Sequence, residues 1–173
     1  MKIITISGKA GSGKDTFAKY LRDALERNGS KVLVTHYADL LKYILREFFG
    51  WNGNKDEYGR ELLQYVGTDV VRQTDPDFWV NFLVWVFKTF RGEWDYILIP
   101  DARFPNEIEI MKHEFDSVAV MIRREADSAL TADAQQHTSE TALDNYVGFD
   151  HILENNTLHG LELRAAELAR QLC

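Results

Sequence analysis

The sequence predicts a three-layer α/β fold, in which helices cover both faces of a parallel sheet. The first observation is that strand-like and helix-like segments alternate along the chain. The second is size: 173 residues, of which 45% are hydrophobic and 27% charged, suit one domain with a substantial core. The third is that the chain has only three prolines and no repeat or linker-like stretch. We therefore predict a single domain over residues 1–173.

Short aliphatic and β-branched segments predict the strands. They lie over residues 3–7, 31–36, 96–100, 117–122 and 151–153. Helical segments separate consecutive strands, as parallel pairing requires. These segments together predict a five-stranded parallel sheet.

Apolar residues at helical spacing, with capping and stop residues around them, predict the helices. The predicted helices cover residues 17–25, 41–48, 61–71, 75–90 (starting at Asp75-Pro76), a segment opening at Pro105, a segment from Thr138 or Ser139 to Tyr146, and 161–172. The polar, alanine-rich stretch after the fourth strand predicts a short lid, over about residues 123–138.

A glycine-rich loop (residues 8–14, GKAGSGK) follows the first strand and precedes the first helix. It matches the G-x-x-x-x-G-K core of a Walker A loop, typical of P-loop NTPases. Glycines let several backbone N–H groups converge on one anion, the helix N-terminus adds positive charge, and Lys14 is expected to reach the β- and γ-phosphates. The predicted nucleotide-binding residues of this segment are Gly8, Ala10, Gly11, Ser12, Gly13, Lys14, Asp15 and Thr16.

The residue after the lysine departs from the motif, which has a Mg²⁺-binding hydroxyl at that position. Asp15 stands there, and Thr16 follows. A carboxylate is also an oxygen ligand for Mg²⁺, and its charge is favourable in a first helical turn. We therefore predict Asp15 and Thr16 as metal ligands.

Two charged residues follow the hydrophobic strand over residues 96–100. Asp101 lies at the strand end where α/β sheets bind ligands, and is predicted to hold Mg²⁺ directly or through water, or else to cap a turn. Arg103 carries a planar fork suited to phosphate, the alternative being a salt bridge to Glu107. With Lys14, both are candidate catalytic residues.

Several motifs resemble the deoxynucleoside monophosphate kinases of bacteriophages and some bacteria. They are GKDT (13–16), YADLLK (37–42), GRELLQYVGTD (59–69), DARFPNE (101–107) and HTSE (137–140). DARFPNE is the most specific of these motifs. The resemblance implies a P-loop nucleoside-monophosphate-kinase fold with a five-stranded parallel sheet, a helical substrate-binding region over about residues 38–92 and a lid.

The same resemblance implies roles for further residues. Arg123 or Arg124, at the base of the lid, is expected to approach the transferred phosphoryl group, and Asn155 lies where related kinases surround adenine. The residues of the helical region expected to hold the acceptor are Asp39, Lys42, Arg60, Gln64, Arg72 and Trp79.

The predicted activity is transfer of the γ-phosphoryl group of ATP, with Mg²⁺, to a nucleoside monophosphate or its deoxy form. The acceptor oxygen is already anionic, so positioning and charge neutralisation are expected to suffice without a general base. Three alternatives stay open: a P-loop kinase for phosphomevalonate or dephospho-coenzyme A, a nucleotide-binding switch, and an inactive relative that keeps the fold.

Composition limits the classes of molecule that the protein is expected to bind. A net charge of −7 without a Lys/Arg run argues against binding a nucleic acid polymer and favours a small ligand. Cys173 is the only cysteine, and no apolar run approaches the length of a membrane span. We expect a cytoplasmic protein that does not bind membranes, and a homodimer is left open.

Overall fold

A computed structural model of the protein describes residues 1–54, 56–124 and 136–172. Its sheet has five parallel strands in the order β2-β3-β1-β4-β5. The strands are β1 (Lys2–Ser7), β2 (Val32–Val34), β3 (Tyr96–Ala102), β4 (Ser117–Arg123) and β5 (His151–Glu154). The five-stranded parallel sheet is confirmed. Because β1 is central, the loop that follows it emerges at the middle of the sheet edge.

Seven α-helices and one π-helix lie in the described ranges. They are α1 (Lys14–Arg27), α2 (Ala38–Phe49), α3 (Glu57–Gln64), the π-helix (Tyr65–Arg72), α4 (Phe78–Thr89), α5 (Pro105–Glu114), α6 (Thr138–Thr141) and α7 (Leu158–Leu172). None of these helices has the length and apolar composition needed to cross a lipid bilayer.

The two faces of the sheet carry separate hydrophobic clusters. On one face, α1 and α7 bury Phe17 and Leu161 against Ile4 of β1. On the other, α2, α4 and α5 pack around Ile3 and Ile99. Burial of one such side chain contributes about 1.5–3 kcal/mol. The three-layer arrangement follows because β1 alternates its side chains between both clusters.

A β-bulge lies near the end of β3. Thr5 pairs with Ile99 whereas Ser7 pairs with Ala102, so β3 carries one extra residue in this stretch. A bulge accommodates Pro100, which lacks an N–H, within a central strand and turns the next side chain to a new direction. The strand therefore runs two residues beyond its predicted end at residue 100.

The helical segment after α2 differs from the single helix predicted over residues 61–71. Asp56 accepts from Gly59 N at 2.8 Å and caps α3, so the helix starts earlier. From Tyr65 onward the backbone is a π-helix, a form that is rare and often found at functional sites. A Cβ on Gly67 would lie 2.6 Å from Leu41, so only glycine fits against α2 without displacement.

Two predicted helix boundaries are wrong. The start at Asp75-Pro76 is a turn, in which Asp77 N donates to the Asp75 carboxylate at 3.0 Å, and α4 begins at Phe78. The helix predicted to reach Tyr146 ends at Thr141, because Asp144 N and Tyr146 N donate three residues back, to Thr141 O and Leu143 O. The predicted lid over about residues 123–138 falls largely on residues 125–135, outside the described residues.

Candidate functional site

The glycine-rich loop joins the end of β1 to the start of α1. Gly11 and Gly13 have φ of 78° and 94°, a region that favours glycine. Ser12 N donates to Lys9 O at 3.1 Å and curls the loop. The first-turn N–H groups of α1 are thereby directed at the mouth of the loop, where they form an anion-binding end.

Asn155 supports this loop from behind. Its side chain is buried and donates from Nδ2 to Ser12 O at 2.8 Å. A Cβ on Gly13 would lie 2.4 Å from the same Nδ2, so the loop and the asparagine are in close contact. The resemblance implied that Asn155 lies near adenine, which stays a prediction; in the structure its side chain contacts the loop backbone and supports the loop.

Lys14 is a buried cation at the N-terminus of α1, with a relative exposure of 7%. Its Nζ donates to Lys9 O at 3.4 Å, and no described carboxylate forms a salt bridge with it. Burial, followed by the charge of Arg103, lowers the pKa of Lys14. A buried ammonium in such surroundings is stabilised by an anion. The loop therefore fits the phosphates of a nucleotide.

Arg103 is held at both ends. Its main-chain N donates to Glu107 Oε2 at 2.6 Å, and its Nη1 donates to Glu140 Oε1 at 2.6 Å. The salt bridge considered from the sequence, between Arg103 and Glu107, is thus formed with Glu140 instead. Glu140 also accepts from Ala10 N, at 3.2 Å, through its second carboxylate oxygen.

The loop opens into a main cleft of about 390 Å³, between the edge of the sheet and the helices that follow β2. The predicted residues that it brings together are Ala10, Gly11, Lys14, Asp15, Lys42, Arg60, Gln64, Arg72, Trp79, Asp101 and Arg103. The apolar part of the wall includes Tyr37, Leu41, Leu63 and Phe104. Phosphate-binding and acceptor-binding candidates therefore share one cleft.

A second cavity of about 390 Å³ lies on the other side of Arg103 and Glu140, which line both spaces. Gly8, Ser12, Arg123 at the end of β4 and Arg124 after it line this cavity. Arg124 Nη1 donates to Gly11 O at 3.3 Å, so this side chain already touches the loop. Arg123 is exposed. Both arginines thus lie beside the loop but outside the main cleft.

His36 connects the loop to α2. Its Nε2 lies 3.5 Å from Asp15 Oδ1 and its Nδ1 lies 3.3 Å from Asp39 Oδ2. Hydrogen bonds with Asp15 and Asp39 raise the pKa of His36 to about 9, so the ring is cationic at neutral pH. Partial burial opposes ionisation of Asp39, but hydrogen bonds from His36 and Lys42 lower its pKa overall. Asp39, expected at the acceptor, orients these two cations and does not line the cleft.

Arg72 and Trp79 line the cleft but are largely buried. Arg72 pairs with Glu107 and donates to Pro76 O at 2.9 Å, and its side chain is 11% exposed. Trp79 is 3% exposed and donates from Nε1 to Gly67 O at 2.9 Å. The Trp79 ring packs in the hydrophobic core and also lines the cleft, so its place at the acceptor stays a prediction.

Glu107 is the buried partner of this arginine. Burial raises the pKa of Glu107 to about 7, against the opposing charge of Arg72 and two backbone N–H donors. Its contacts with Arg103 N and Phe104 N also fix the start of α5.

The predicted metal ligands have other contacts in this structure. Asp101 accepts from Tyr37 N and Ala38 N, at 2.9 and 3.1 Å, and so caps α2, whereas the alternative considered from the sequence was a cap on the next turn. Thr16 lies in the first turn of α1. The described residues contain no cluster of three or more His, Cys, Asp or Glu that could hold a metal ion. Since each carboxylate oxygen keeps a second lone pair, the donors fit a Mg²⁺ whose other ligands are phosphate and water.

Comparison with known families identifies the chain. The sequence model of the family described as deoxynucleotide monophosphate kinase matches residues 49–164, more than half of the chain. The chain belongs to the deoxynucleotide monophosphate kinase family. The kinase is also 32% identical, over 94% of its length and 68% of the relative's, to uncharacterised protein ORF77 of Ictalurid herpesvirus 1 (strain Auburn).

Two further relatives of this kinase bear on its substrate. A protein of Acanthamoeba polyphaga mimivirus, provisionally assigned as a deoxynucleotide monophosphate kinase, is 29% identical over 90% of this chain and 89% of the relative. Phosphomevalonate kinase of Drosophila melanogaster is 29% identical over the same shares of the two chains.

Solved structures show the fold of the kinase. A Mycobacterium tuberculosis APS kinase in complex with AMPPNP and APS superposes with a TM-score of 0.53 at 14% identity, covering 99% of this chain and 96% of that one. Shikimate kinase from Aquifex aeolicus superposes with a TM-score of 0.54 at 14% identity, covering 99% and 97%. The P-loop kinase fold is confirmed, and family and fold together show a nucleotide-type phosphotransferase.

Sequence reasoning missed three charged residues that build the site. His36, Glu107 and Glu140 line the main cleft and hold Asp15, Arg72 and Arg103 in turn. One signal was available: Pro105 at the first helical position with Glu107 two residues later is typical of a capped helix start. The partner of Glu140 lies 37 residues away, and no local pattern points to it.

Proposed function

We propose that this kinase transfers the γ-phosphoryl group of ATP to a deoxynucleoside monophosphate and forms the diphosphate. One observation carries the proposal: Lys14 and Arg103 line the same cleft as the polar side chains of α3. A phosphate-binding loop and a candidate acceptor site thus face a common space. Family membership supports a nucleotide-type acceptor.

The loop side of the cleft would hold the donor. Backbone N–H groups of the loop and the Lys14 ammonium neutralise the β- and γ-phosphates, and Arg103 extends positive charge toward the transferred group. Asp15, Thr16 and Asp101 would hold Mg²⁺ directly or through water, and the ion would supply further charge neutralisation. Arg123 and Arg124, at the base of a lid over about residues 123–138, would add charge from the second cavity.

The helical side would hold the acceptor. Lys42 and Arg60 supply cations for its phosphate, and Gln64 offers both a donor and an acceptor to a base edge. Apolar groups such as Leu63 and Phe104 provide surfaces for the nucleoside. Since the acceptor phosphate is already anionic, these residues only need to orient it in line with the donor.

A second candidate acceptor is phosphomevalonate, because a phosphomevalonate kinase is among the relatives. The cations of the cleft suit any phosphate monoester, so charge alone does not separate the two. The mixed lining of Gln64 and apolar groups favours a nucleotide, since a base needs both hydrogen bonds and flat apolar contact.

A coupled ADP-release assay tests the assignment. The panel contains each ribo- and deoxyribonucleoside monophosphate, phosphomevalonate and dephospho-coenzyme A, with an acceptor-free control. We expect at least one deoxynucleoside monophosphate to raise ADP release by roughly 10²-fold over the control. If only phosphomevalonate is turned over, the acceptor is phosphomevalonate and not a nucleotide. If ATP is hydrolysed equally without any acceptor, the protein is a nucleotide-binding switch and not a kinase.

A further inference from the structure

Glu140 joins three parts of the site through its side chain and its main-chain carbonyl. Its Oε1 accepts from Arg103 Nη1 at 2.6 Å, and its Oε2 accepts from Ala10 N at 3.2 Å. Its main-chain O accepts from Lys9 Nζ at 2.8 Å. The residue therefore connects α6 to the glycine-rich loop and to the arginine that follows β3.

Glu140 is well placed to orient Arg103 rather than to bind the substrate. The Glu140 side chain is 8% exposed and that of Arg103 is 25% exposed, so the pair is largely shielded from water. Both carboxylate oxygens of Glu140 already accept hydrogen bonds from protein donors. A guanidinium has five N–H donors, so several remain for a ligand after this contact.

We propose that Glu140 is a positioning residue that fixes the guanidinium of Arg103 relative to the glycine-rich loop. Because one carboxylate binds both Arg103 and the Ala10 amide, the distance from the arginine to the loop is set before any substrate enters. The main-chain bond to Glu107 holds the other end of Arg103. This inference rests on the proposed function, since it gives Arg103 its role at the transferred phosphoryl group.

A purely structural role for Glu140 makes a different prediction. Lys9 also pairs with Asp144, so the segment after α6 has a second attachment to the loop. If Glu140 served only to attach this segment, its loss would lower stability and impair every step alike. If it positions Arg103, its loss matters for turnover only while Arg103 is present.

A double-mutant cycle separates these roles. Glu140→Gln, Arg103→Ala and the double variant are compared for kcat, for KM of ATP and of the best acceptor, and for Tm. Glutamine keeps the size of the side chain but replaces one acceptor oxygen with a donor, so it cannot serve both partners. Glu162→Gln, an exposed carboxylate of α7, is the matched control.

We expect Glu140→Gln to lower kcat by roughly 10- to 100-fold with KM of ATP changed less than about threefold, as for a misplaced catalytic group. Arg103→Ala should cost at least as much, and the double variant should match Arg103→Ala within about twofold. The assignment of Glu140 would be overturned if the losses in kcat of the two single variants multiply in the double variant, or if Glu140→Gln leaves kcat unchanged. Either result would leave the proposed kinase function intact.

Two further outcomes are decisive. A wild-type protein inactive with every acceptor would overturn the proposed function and this inference with it. If Glu140→Gln does not fold, Glu140→Asp takes its place, because it keeps the charge but is too short to reach both partners. Its loss in kcat should disappear when it is combined with Arg103→Ala. A loss in kcat that persists in the Arg103→Ala background would overturn the proposal.

Discussion

The two walls of the main cleft are built in different ways. The loop wall is built mainly from backbone groups. Neighbouring side chains such as Asn155 and Glu140 hold that backbone in place. On the helical wall, Arg60 and Gln64 project from α3, whose position depends on packing between the π-helix, α2 and α4. A phosphate has one shape and suits a rigid backbone site, whereas side chains on packed helices suit ligands whose shape and polarity vary.

The two walls are expected to contribute differently to folding stability and to turnover. The helical wall contains the most deeply buried ion pair of the site, between Arg72 and Glu107. The loop wall contains a buried lysine with no ion pair among the described residues. We therefore expect changes in the helical wall to reduce folding stability and changes in the loop wall to reduce turnover.

Arg72→Ala should have the largest effect on stability. At pH 8, above the Glu107 pKa of about 7, removing the arginine leaves a buried carboxylate without its cation, which costs about 3–5 kcal/mol of unfolding free energy. Urea unfolding followed by circular dichroism measures the loss. Arg60→Ala, an exposed position on the same wall, should change stability by less than about 0.5 kcal/mol. A loss below about 1 kcal/mol in Arg72→Ala would show that Glu107 is not held by this pair.

Lys14→Ala should have the largest effect on turnover. Loss of a preorganised charge contact in the loop lowers kcat by roughly 10²-fold or more. The variant should keep its Tm, because burial of the ammonium already opposes its charged form. Lys19→Ala, an exposed lysine of α1, is the matched control. Steady-state ADP release gives the comparison, and a near-wild-type rate in a folded Lys14→Ala protein would refute the loop assignment.

Asn155→Ala should weaken the loop wall alone. An unsatisfied buried Ser12 carbonyl costs about 1–3 kcal/mol, so KM of ATP should rise by roughly tenfold while KM of the acceptor stays within about twofold. Initial rates with one substrate varied at a time measure both constants. Asn81→Ala, an exposed asparagine of α4, serves as control. Equal increases in both constants would mean that Asn155 does not act through the loop.

The smallest expected effect concerns His36, which spans the two walls. Its folded pKa of about 9 lies above the ordinary value of 6.5. Its contribution to stability is therefore fully present below pH 6.5 and is lost as the pH rises through 9. With the partial exposure taken into account, the loss is on the order of 1–2 kcal/mol.

Urea unfolding between pH 6 and pH 10 checks this dependence. Wild type should lose more stability across the window than His36→Asn, whose smaller loss, mostly below about pH 7, comes from groups such as Glu107. A His36→Asn variant with the wild-type pH profile would assign the dependence to another group.

The sequence allowed the loop wall to be predicted because its chemistry is local. The GKAGSGK string, one strand and one helix were sufficient to identify Lys14 and the helix N-terminus. Arg103 was also predicted, but its partner was not, since Glu140 is distant in sequence and reaches Arg103 only through the fold.

The helical wall was predicted only in outline. The resemblance placed Arg72 and Trp79 at the acceptor, and both line the cleft. Helical periodicity did not indicate that Arg72 pairs with the buried Glu107 or that Trp79 is largely buried. The π-helix was also unpredicted, because a π-helix shifts the register of every residue after its first turn. The boundary errors at α4 and α6 have the same origin: short turns compete locally with helix continuation, and tertiary contacts decide between them.

The bulge in β3 has a consequence for the exchange of parts between kinases. Asp101 on the bulge binds the amides of Tyr37 and Ala38, and Arg103 follows two residues later. A chimera that replaces residues 37–92 with the helices of another kinase would thus have to present two free amides to Asp101 at the end of β3. Deleting one residue between Ile99 and Ala102 would displace both the start of α2 and Arg103 in a single step.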